Sequence, residues 1–424
     1  MLTAISRYGV RAAPNIDEIV RGCRARGQLV QGPQIAEFER AFEARLGAGT
    51  AVATSYGRMA FFHIVRALEL PAGSEIIVPA LTFWVIPELA RRAGLRPVFV
   101  DVDPDTFTLD PAALERAITA NTRAVVPTHL YGLPCDMDPI IAIARRHNLA
   151  VIEDCAHALG ATYRERPVGT FGDAALFSFQ TLKPLNAFGG GMAIVQDRAI
   201  ARRLRNTVEA LPWPDEQRVR NRFTIGRAQR FFTQPGVFTV SAFPILWMAS
   251  WFNANPDVYL WETIRTLDPL PPAYTEQFPN VQAAIALAGL DLLDTWTEAS
   301  RAHARLIGDV LAETPNIQLP VVPSDRTHVY YQYCVYVPDR DDLVLRCIRR
   351  GVDIETLHVD VCARLPLFAD LHPEPAPGAE QAASAVQVPV YASLTDTQVR
   401  RVAMTVKRAV RNRPQPKRAI TATS

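Results

Sequence analysis

Short apolar runs alternate with amphipathic segments through the N-terminal half of the chain. "EIIVP" (Glu75–Pro79), "PVFVDVD" (Pro97–Asp103), "RAVVPTHLYG" (Arg123–Gly132) and "AVIED" (Ala150–Asp154) are the runs. Between them lie "PELARRAG", "PAALERAIT" and "MDPIIAIARRHN", with apolar residues at helical spacing. "PQIAEFERAFEARLG" (Pro33–Gly47) is a further helix, with proline at its start and glycine at its end. β-branched strands separated by amphipathic helices predict an α/β fold with a mostly parallel sheet covered on both faces. In such sheets ligands sit beyond the carboxyl ends of strands, so the polar residues that close each strand carry the chemistry.

Two strands close in this way. "AVIED" ends in Asp154, before "CAHALGA". "ALFSF" is followed by "QTLKPLNAFGGG", a turn with Lys183 in it and three glycines behind, and then by the strand "MAIVQD". Taken singly, Asp154 reads as the N-cap of a short helix and Lys183 as a solvated loop lysine. Taken together they suit one cofactor. A cationic ring nitrogen needs a buried carboxylate, and an aldehyde needs a lysine amine to form a Schiff base; pyridoxal 5'-phosphate asks for both. The glycines are expected to let backbone approach such a bulky ligand.

Composition narrows the alternatives. With 424 residues, 49% hydrophobic, 21% charged and a net charge of +2, the chain suits a soluble globular protein of two or three domains. That balance makes no electrostatic case for nucleic acid. Cys23, Cys135, Cys155, Cys334, Cys347 and Cys362 form no CxxC pair and no Cys/His cluster in sequence, so buried reduced thiols and no metal site are expected. "MLTAISRYGVRAAPNIDEIV" lacks a secretory apolar core, and no run is long enough to span a bilayer. A cytoplasmic protein is the expectation.

On these motifs the chain resembles the fold-type-I, pyridoxal-phosphate-dependent nucleotide-sugar aminotransferases of the DegT/StrS family. "VIEDCAHALGATYRERPVGTFGDAALFSFQTLKPLNAFGGGMAIV" is similar to the family's central motif almost throughout, and the likeness runs from about Gly32 to Asp197. "NVQAAIALAGLDLLD" (Asn280–Asp294) resembles the segment that opens the family's C-terminal part. The resemblance implies a role for each matching residue. Lys183 would be the Schiff-base lysine and Asp154 the partner of the pyridinium nitrogen. His157 would lie beside the ring's phenolic oxygen, and Ser178 would bind phosphate. Phe83 would stack on the ring, with Trp84 the neighbouring candidate. "TSYGRMAFF" (Thr54–Phe62) would form the phosphate loop around Gly57.

The chain also departs from the family. Gly57-Arg58 stands where Gly-Thr is usual; an arginine there would still hold phosphate. Gly189 replaces a frequent glutamate, and Thr275-Glu276-Gln277 replaces Asn-Tyr-Arg. In relatives the last of these positions reaches the partner subunit's phosphate, which makes Gln277 the candidate here. The largest departure is an insertion over about 202–274. It contains arginines followed by a sixteen-residue apolar run, Val237–Phe252, interrupted by Pro244. That run is expected to be buried in the fold or a dimer interface; the competing expectation is a peripheral membrane contact through 237–252.

The expected organisation is a large cofactor-binding domain over 1–285, a smaller α+β domain over 286–412 and a disordered tail over 413–424. The resemblance implies a ping-pong aminotransferase. It would take an amino group from an amino acid, glutamate by family precedent, through pyridoxamine 5'-phosphate to a nucleotide-linked keto-sugar, as a homodimer with shared active sites. A dehydratase of the same fold is disfavoured because such relatives have histidine in place of the lysine. An intact Asp154–Lys183 pair argues against a non-catalytic sensing or scaffold protein. A nicotinamide enzyme lacks its GxGxxG turn.

Overall fold

The computed structural model describes residues 3–252, 263–356 and 359–411. Seven strands build the central sheet: β1 (Thr50–Thr54), β2 (Glu75–Pro79), β3 (Arg96–Val100), β4 (Thr122–Val125), β5 (Ala150–Asp154), β6 (Ala174–Ser178) and β7 (Gly191–Val195). Their order is β1-β7-β6-β5-β4-β2-β3. Neighbours from β6 through β3 pair in parallel, whereas β7 runs antiparallel to both β6 and β1. The reversal follows from the short connection 179–190, which has no room for a crossover helix. Every residue of β2 and β7 is buried, as expected for strands covered on both faces.

Register sets out the site. Asp154 lies opposite Leu176, and Ser178 and Thr54 both lie opposite Gly191. The carboxyl ends of β1, β5 and β6 therefore meet at one edge. Helix α1 (Gly57–Ala67) starts there, directly after β1.

The C-terminal part builds a second core. Helices Leu293–Leu311, Arg340–Arg349 and Asp396–Arg411 surround a two-stranded sheet, Tyr333–Val335 with Val386–Val388. Ile5 belongs to the same core, and Ile5 N–H and C=O bond to Gly351 and Asp353. Beside it the buried Arg7 guanidinium donates twice to Asp353, at 2.9 and 2.7 Å. All six cysteines are free and buried. The segment 413–424 lies outside the described residues, as does 253–262 of the insertion.

After the helix Arg198–Glu209, the described residues of the insertion form α2 (Glu216–Phe232), α3 (Pro235–Val240) and α4 (Phe243–Trp251). Asp215 caps α2 by accepting from the N–H groups of Gln217 and Arg218. Pro244 interrupts nothing: it sits in the first turn of α4, where its missing N–H has no intrahelical role. Burial of 237–252 within the chain's own fold, one expectation for this run, is not what the structure shows. Phe238 and Ser250 are buried, but Val240 is 77% and Phe252 84% exposed. Ile245, Trp247, Met248 and Trp251 are exposed too. No helix of the described residues is long and apolar enough to cross a membrane.

One buried carboxylate fixes the backbone around the site. Glu153 accepts from the N–H groups of Gly169, Phe171 and Gly172 at 2.7–2.8 Å. It also faces His129 Nε2 at 3.1 Å. His129 Nδ1 accepts from Cys135 N–H, so its proton lies on Nε2 and points at Glu153. The loop 169–172 is thereby tied to the strand that ends in Asp154. Glu153→Ala should leave three N–H groups unpartnered and cost roughly 3 kcal/mol or more. Chemical denaturation checks this, and a variant as stable as the parent would refute it.

Candidate active site

A cavity of about 720 Å³ opens where the strand ends converge. Gly57, Phe83, Asp154, His157, Ser178 and Lys183 all line it. Residues from four separate stretches of sequence thus meet in one space, at the carboxyl edge of the sheet.

Lys183 is held by the connection between β6 and β7, where its own N–H closes a turn onto Gln180 C=O. Burial lowers its amine to about 7, an effect that the Arg58 guanidinium strengthens and the Asp154 carboxylate opposes. The Tyr331 ring lies beside it, 5.0 Å from Nζ to the centroid. Lys183 is one of three lysines in the chain, with Lys407 and Lys417; arginine supplies the rest of the strong basic charge. That scarcity is a signal in its own right.

Asp154 is 5% exposed, and burial raises its carboxyl above the usual range. Oδ1 accepts from Ala156 N–H at 2.9 Å. The expected short helix after it is a series of turns instead, because this bond closes an Asx turn. The capping and functional readings of Asp154 are therefore compatible: one oxygen shapes the turn while the residue lines the cavity.

The glycines behind Lys183 need a different explanation from the one expected. They do not line the cavity. A Cβ on Gly191 would stand 2.3 Å from Gly57 N, and one on Gly190 would stand 2.2 Å from the Phe278 ring. They clear space for the chain itself. Gly191 lets the N-terminus of α1 press against β7, and a Cβ on Gly57 would in turn meet Ser178 at 2.7 Å.

His157 stacks on Tyr331, with ring centroids 4.2 Å apart. Arg58 lies over the Phe83 ring at 5.0 Å and donates to Tyr274 OH. Trp84 is 1% exposed and belongs to the core, outside the cavity lining. Gln277 lies apart as well, its amide donating to the carbonyls of Glu209 and Leu211.

Several lining residues escape sequence reasoning. Arg7 and Tyr8 arrive from the N-terminus, and Asp353 and Glu355 from the C-terminal part. Tyr8 OH donates to Glu355, and Gln332 Nε2 donates to the same carboxylate at 3.1 Å. Arg222 of α2 reaches Tyr56 OH at 2.6 Å, next to Gly57. None of these sits in a local motif. The one available cue was polar residues at the strand-like ends "SRYG" and "VDIE".

Comparison with known proteins fits this geometry. The profile of the DegT/DnrJ/EryC1/StrS aminotransferase family matches residues 11–236 and 246–407. The pleiotropic regulatory protein of Geobacillus stearothermophilus is 31% identical over 390 residues, 90% of each chain. The UDP-N-acetyl-3-dehydro-alpha-D-glucosamine 3-aminotransferase of Acidithiobacillus ferrooxidans is 30% identical over 418 residues, 96% of this chain and 98% of that one. The crystal structure of DesV from S. venezuelae is 29% identical with a TM-score of 0.75, covering 94% of this chain and 95% of DesV. With its sheet order, its lysine-bearing turn and this coverage, the chain belongs to the DegT/DnrJ/EryC1/StrS family of pyridoxal-phosphate-dependent aminotransferases.

Proposed function

We propose that this aminotransferase takes its amino group from an amino acid, glutamate being the first candidate, and delivers it to a keto-sugar. A nucleotide-linked sugar is supported by the UDP-sugar named in the Acidithiobacillus relative. The observation that carries the reading is the shared cavity of Lys183 and Asp154, an amine lowered to about 7 beside a buried carboxylate. In the net reaction the donor loses its amino group and a Cα hydrogen and leaves as an oxo-acid. The acceptor's carbonyl oxygen is replaced by an amino group and a hydrogen.

The residues present fit pyridoxal 5'-phosphate. A buried amine suits its aldehyde, a buried carboxylate suits its ring nitrogen, and the N-terminus of α1 with Ser178 and Arg58 suits its phosphate. When bound, that group supplies a carbonyl for amines and a ring that withdraws electrons from an adjacent carbon. Lys183 Nζ, neutral for about half the time near pH 7, accepts and returns the proton at the reacting carbon. Asp154 holds a proton-bearing ring nitrogen by charge. Phe83 would stack on the ring and His157 would lie beside its phenolic oxygen, while Arg58 and Ser178 would hold the phosphate. Both groups face the cavity, where a bound cofactor would displace water from them.

The protein acts as a cytoplasmic homodimer in this reading. The exposed apolar outer face of α3 and α4 needs a cover, and a two-fold partner is the commonest one. A membrane contact through 237–252 is favoured by the exposed Trp247 and Trp251. Against it, Arg218, Arg220 and Arg227 are paired with Glu276, Glu216 and Asp17 rather than turned to a headgroup layer.

Adding glutamate to the cofactor-loaded enzyme should shift the cofactor's absorption and release 2-oxoglutarate; a keto-sugar should reverse the shift. Lys183→Ala should abolish turnover, and Asp154→Asn should slow it by tenfold or more, since an ionic hydrogen bond is worth roughly 1.5–3 kcal/mol. Normal turnover in either variant would remove that residue's role.

The amine offers a pH test without turnover. Below about 7 it is protonated and unreactive; above, it is neutral and nucleophilic. In the cofactor-free protein, a small acylating reagent should label Lys183 with a rate that rises through about pH 7. Mass spectrometry of the Lys183 peptide reads the rate, and labelling that rises only well above pH 7 would contradict the lowered value.

Assembly is read by sedimentation velocity at assay concentration. A dimer that floats free of anionic vesicles is expected. An active monomer would end the shared-site reading, and salt-sensitive vesicle binding would establish the membrane contact.

A further inference from the structure

Helix α2 has two apolar faces. Val219, Phe223 and Gly226, at i, i+4 and i+7, are buried, and the two aromatic and aliphatic members pack in a core cluster with Phe188 and Ile285. A Cβ on Gly226 would stand 2.1 Å from the Phe188 ring, so this face is pressed home. The second face carries Ile225, Ala228, Gln229 and Phe232, at i, i+3, i+4 and i+7. All four line the cavity that holds Lys183. Ile225 is 60% and Phe232 50% exposed, so nothing among the described residues covers this stripe. Phe238, Ala242 and Leu246 of α3 and its neighbours extend the same wall.

The wall carries no charge. Gln229 and Thr233 are its hydrogen-bonding side chains. The charged groups of the cavity (Lys183, Asp154, Arg58, Arg7, Asp353 and Glu355) come from other elements. Of the cations, Arg7 is neutralised by its two bonds to Asp353. Arg222, one turn before Ile225 on the same helix, donates to Tyr56 OH, and Arg218 is paired with Glu276. Along the stripe itself, from Ile225 to Phe232, an alkyl or aryl group would remove both itself and Phe232 from water.

We propose that the acceptor carries an apolar group, an alkyl chain or aryl ring, which lies against this stripe while its carbonyl reaches Lys183. The proposal rests on the sugar-aminotransferase reading and names what that sugar bears. The apolar group has two sources, a membrane lipid to which the sugar is attached or a soluble acylated or alkylated sugar, and they share this chemistry.

Binding separates the proposal from the reaction. The cofactor-loaded enzyme is titrated calorimetrically with unreactive alkyl glycosides of increasing chain length, below their micelle concentrations. Affinity should rise about fourfold per methylene over the first several carbons, the equivalent of ~0.8 kcal/mol each. Ile225→Ser with Phe232→Ser should flatten that series; both side chains are half-exposed or more, so the fold does not depend on them. Affinity independent of chain length, or an unchanged series in the double variant, would overturn the proposal. Chain-length-dependent binding in an enzyme that gives no oxo-acid from any amino donor would sustain the wall and sink the aminotransferase reading. Turnover of a keto-sugar presented on lipid vesicles but not of its soluble hexyl glycoside would assign the membrane source, and the converse the soluble one. Tighter binding and faster turnover of an unalkylated nucleotide keto-sugar than of any alkylated acceptor would also overturn it.

Discussion

An amine largely withdrawn from water is costly to charge, and the carboxyl edge of the sheet is arranged around that cost. Lys183 needs a neighbour that tolerates both its neutral and its charged form. Asp154 is that neighbour, itself raised by burial and lowered by the Ala156 N–H and by the amine. Neither residue can move independently of the sheet. Asp154 ends β5 and its oxygen closes the next turn, while Lys183 sits in the short return between β6 and β7. Glu153 then ties the adjoining loop to the same strand. Two reactive groups are thus placed by backbone hydrogen bonds rather than by their own flexible side chains, which is how a site is held ready before ligand arrives.

The departures from the family pattern, separate in sequence, belong together in space. A side chain on Gly189 would meet Gln282 and Arg222, and its φ of +134° lies where side chains are strained. Arg222 comes from the insertion and occupies the space a glutamate would need. Glu276 pairs with Arg218 of the same helix, and Gln277 bonds the carbonyls that precede it. The substitutions at 189 and at 275–277 are therefore the seating of α2. One event, the arrival of that helix beside the α1 N-terminus, accounts for both.

What the sequence revealed follows the same division. The sheet was legible in its β-branched runs, Asp154 and Lys183 as polar residues that close or follow a strand, and Ser178 through the resemblance of the motif around it. Arg7, Tyr8 and Glu355 were not, since the chain ends that carry them meet the cavity only through tertiary packing. Trp84 and Phe83 are adjacent in sequence, and only the direction of each side chain separates core from cavity. The glycines were located correctly as sites of close approach, but pattern cannot say what approaches. Here it is Phe278 and the backbone of Gly57.

The apolar run of the insertion shows where periodicity reaches its limit. A stripe at i, i+3, i+4 and i+7 states that one helix face avoids water. It does not state what removes the water. For Val219 and Phe223 the answer is this chain's own core; for Ile225 and Phe232 the described residues provide only a cavity wall. Here a two-faced helix borders the cavity that holds Lys183. Its inner stripe lines the cavity, and the helices that follow it, α3 and α4, carry the exposed apolar side chains Val240, Ile245, Trp247 and Trp251. A change that reseats α2 therefore alters the cavity wall and the outer apolar surface together.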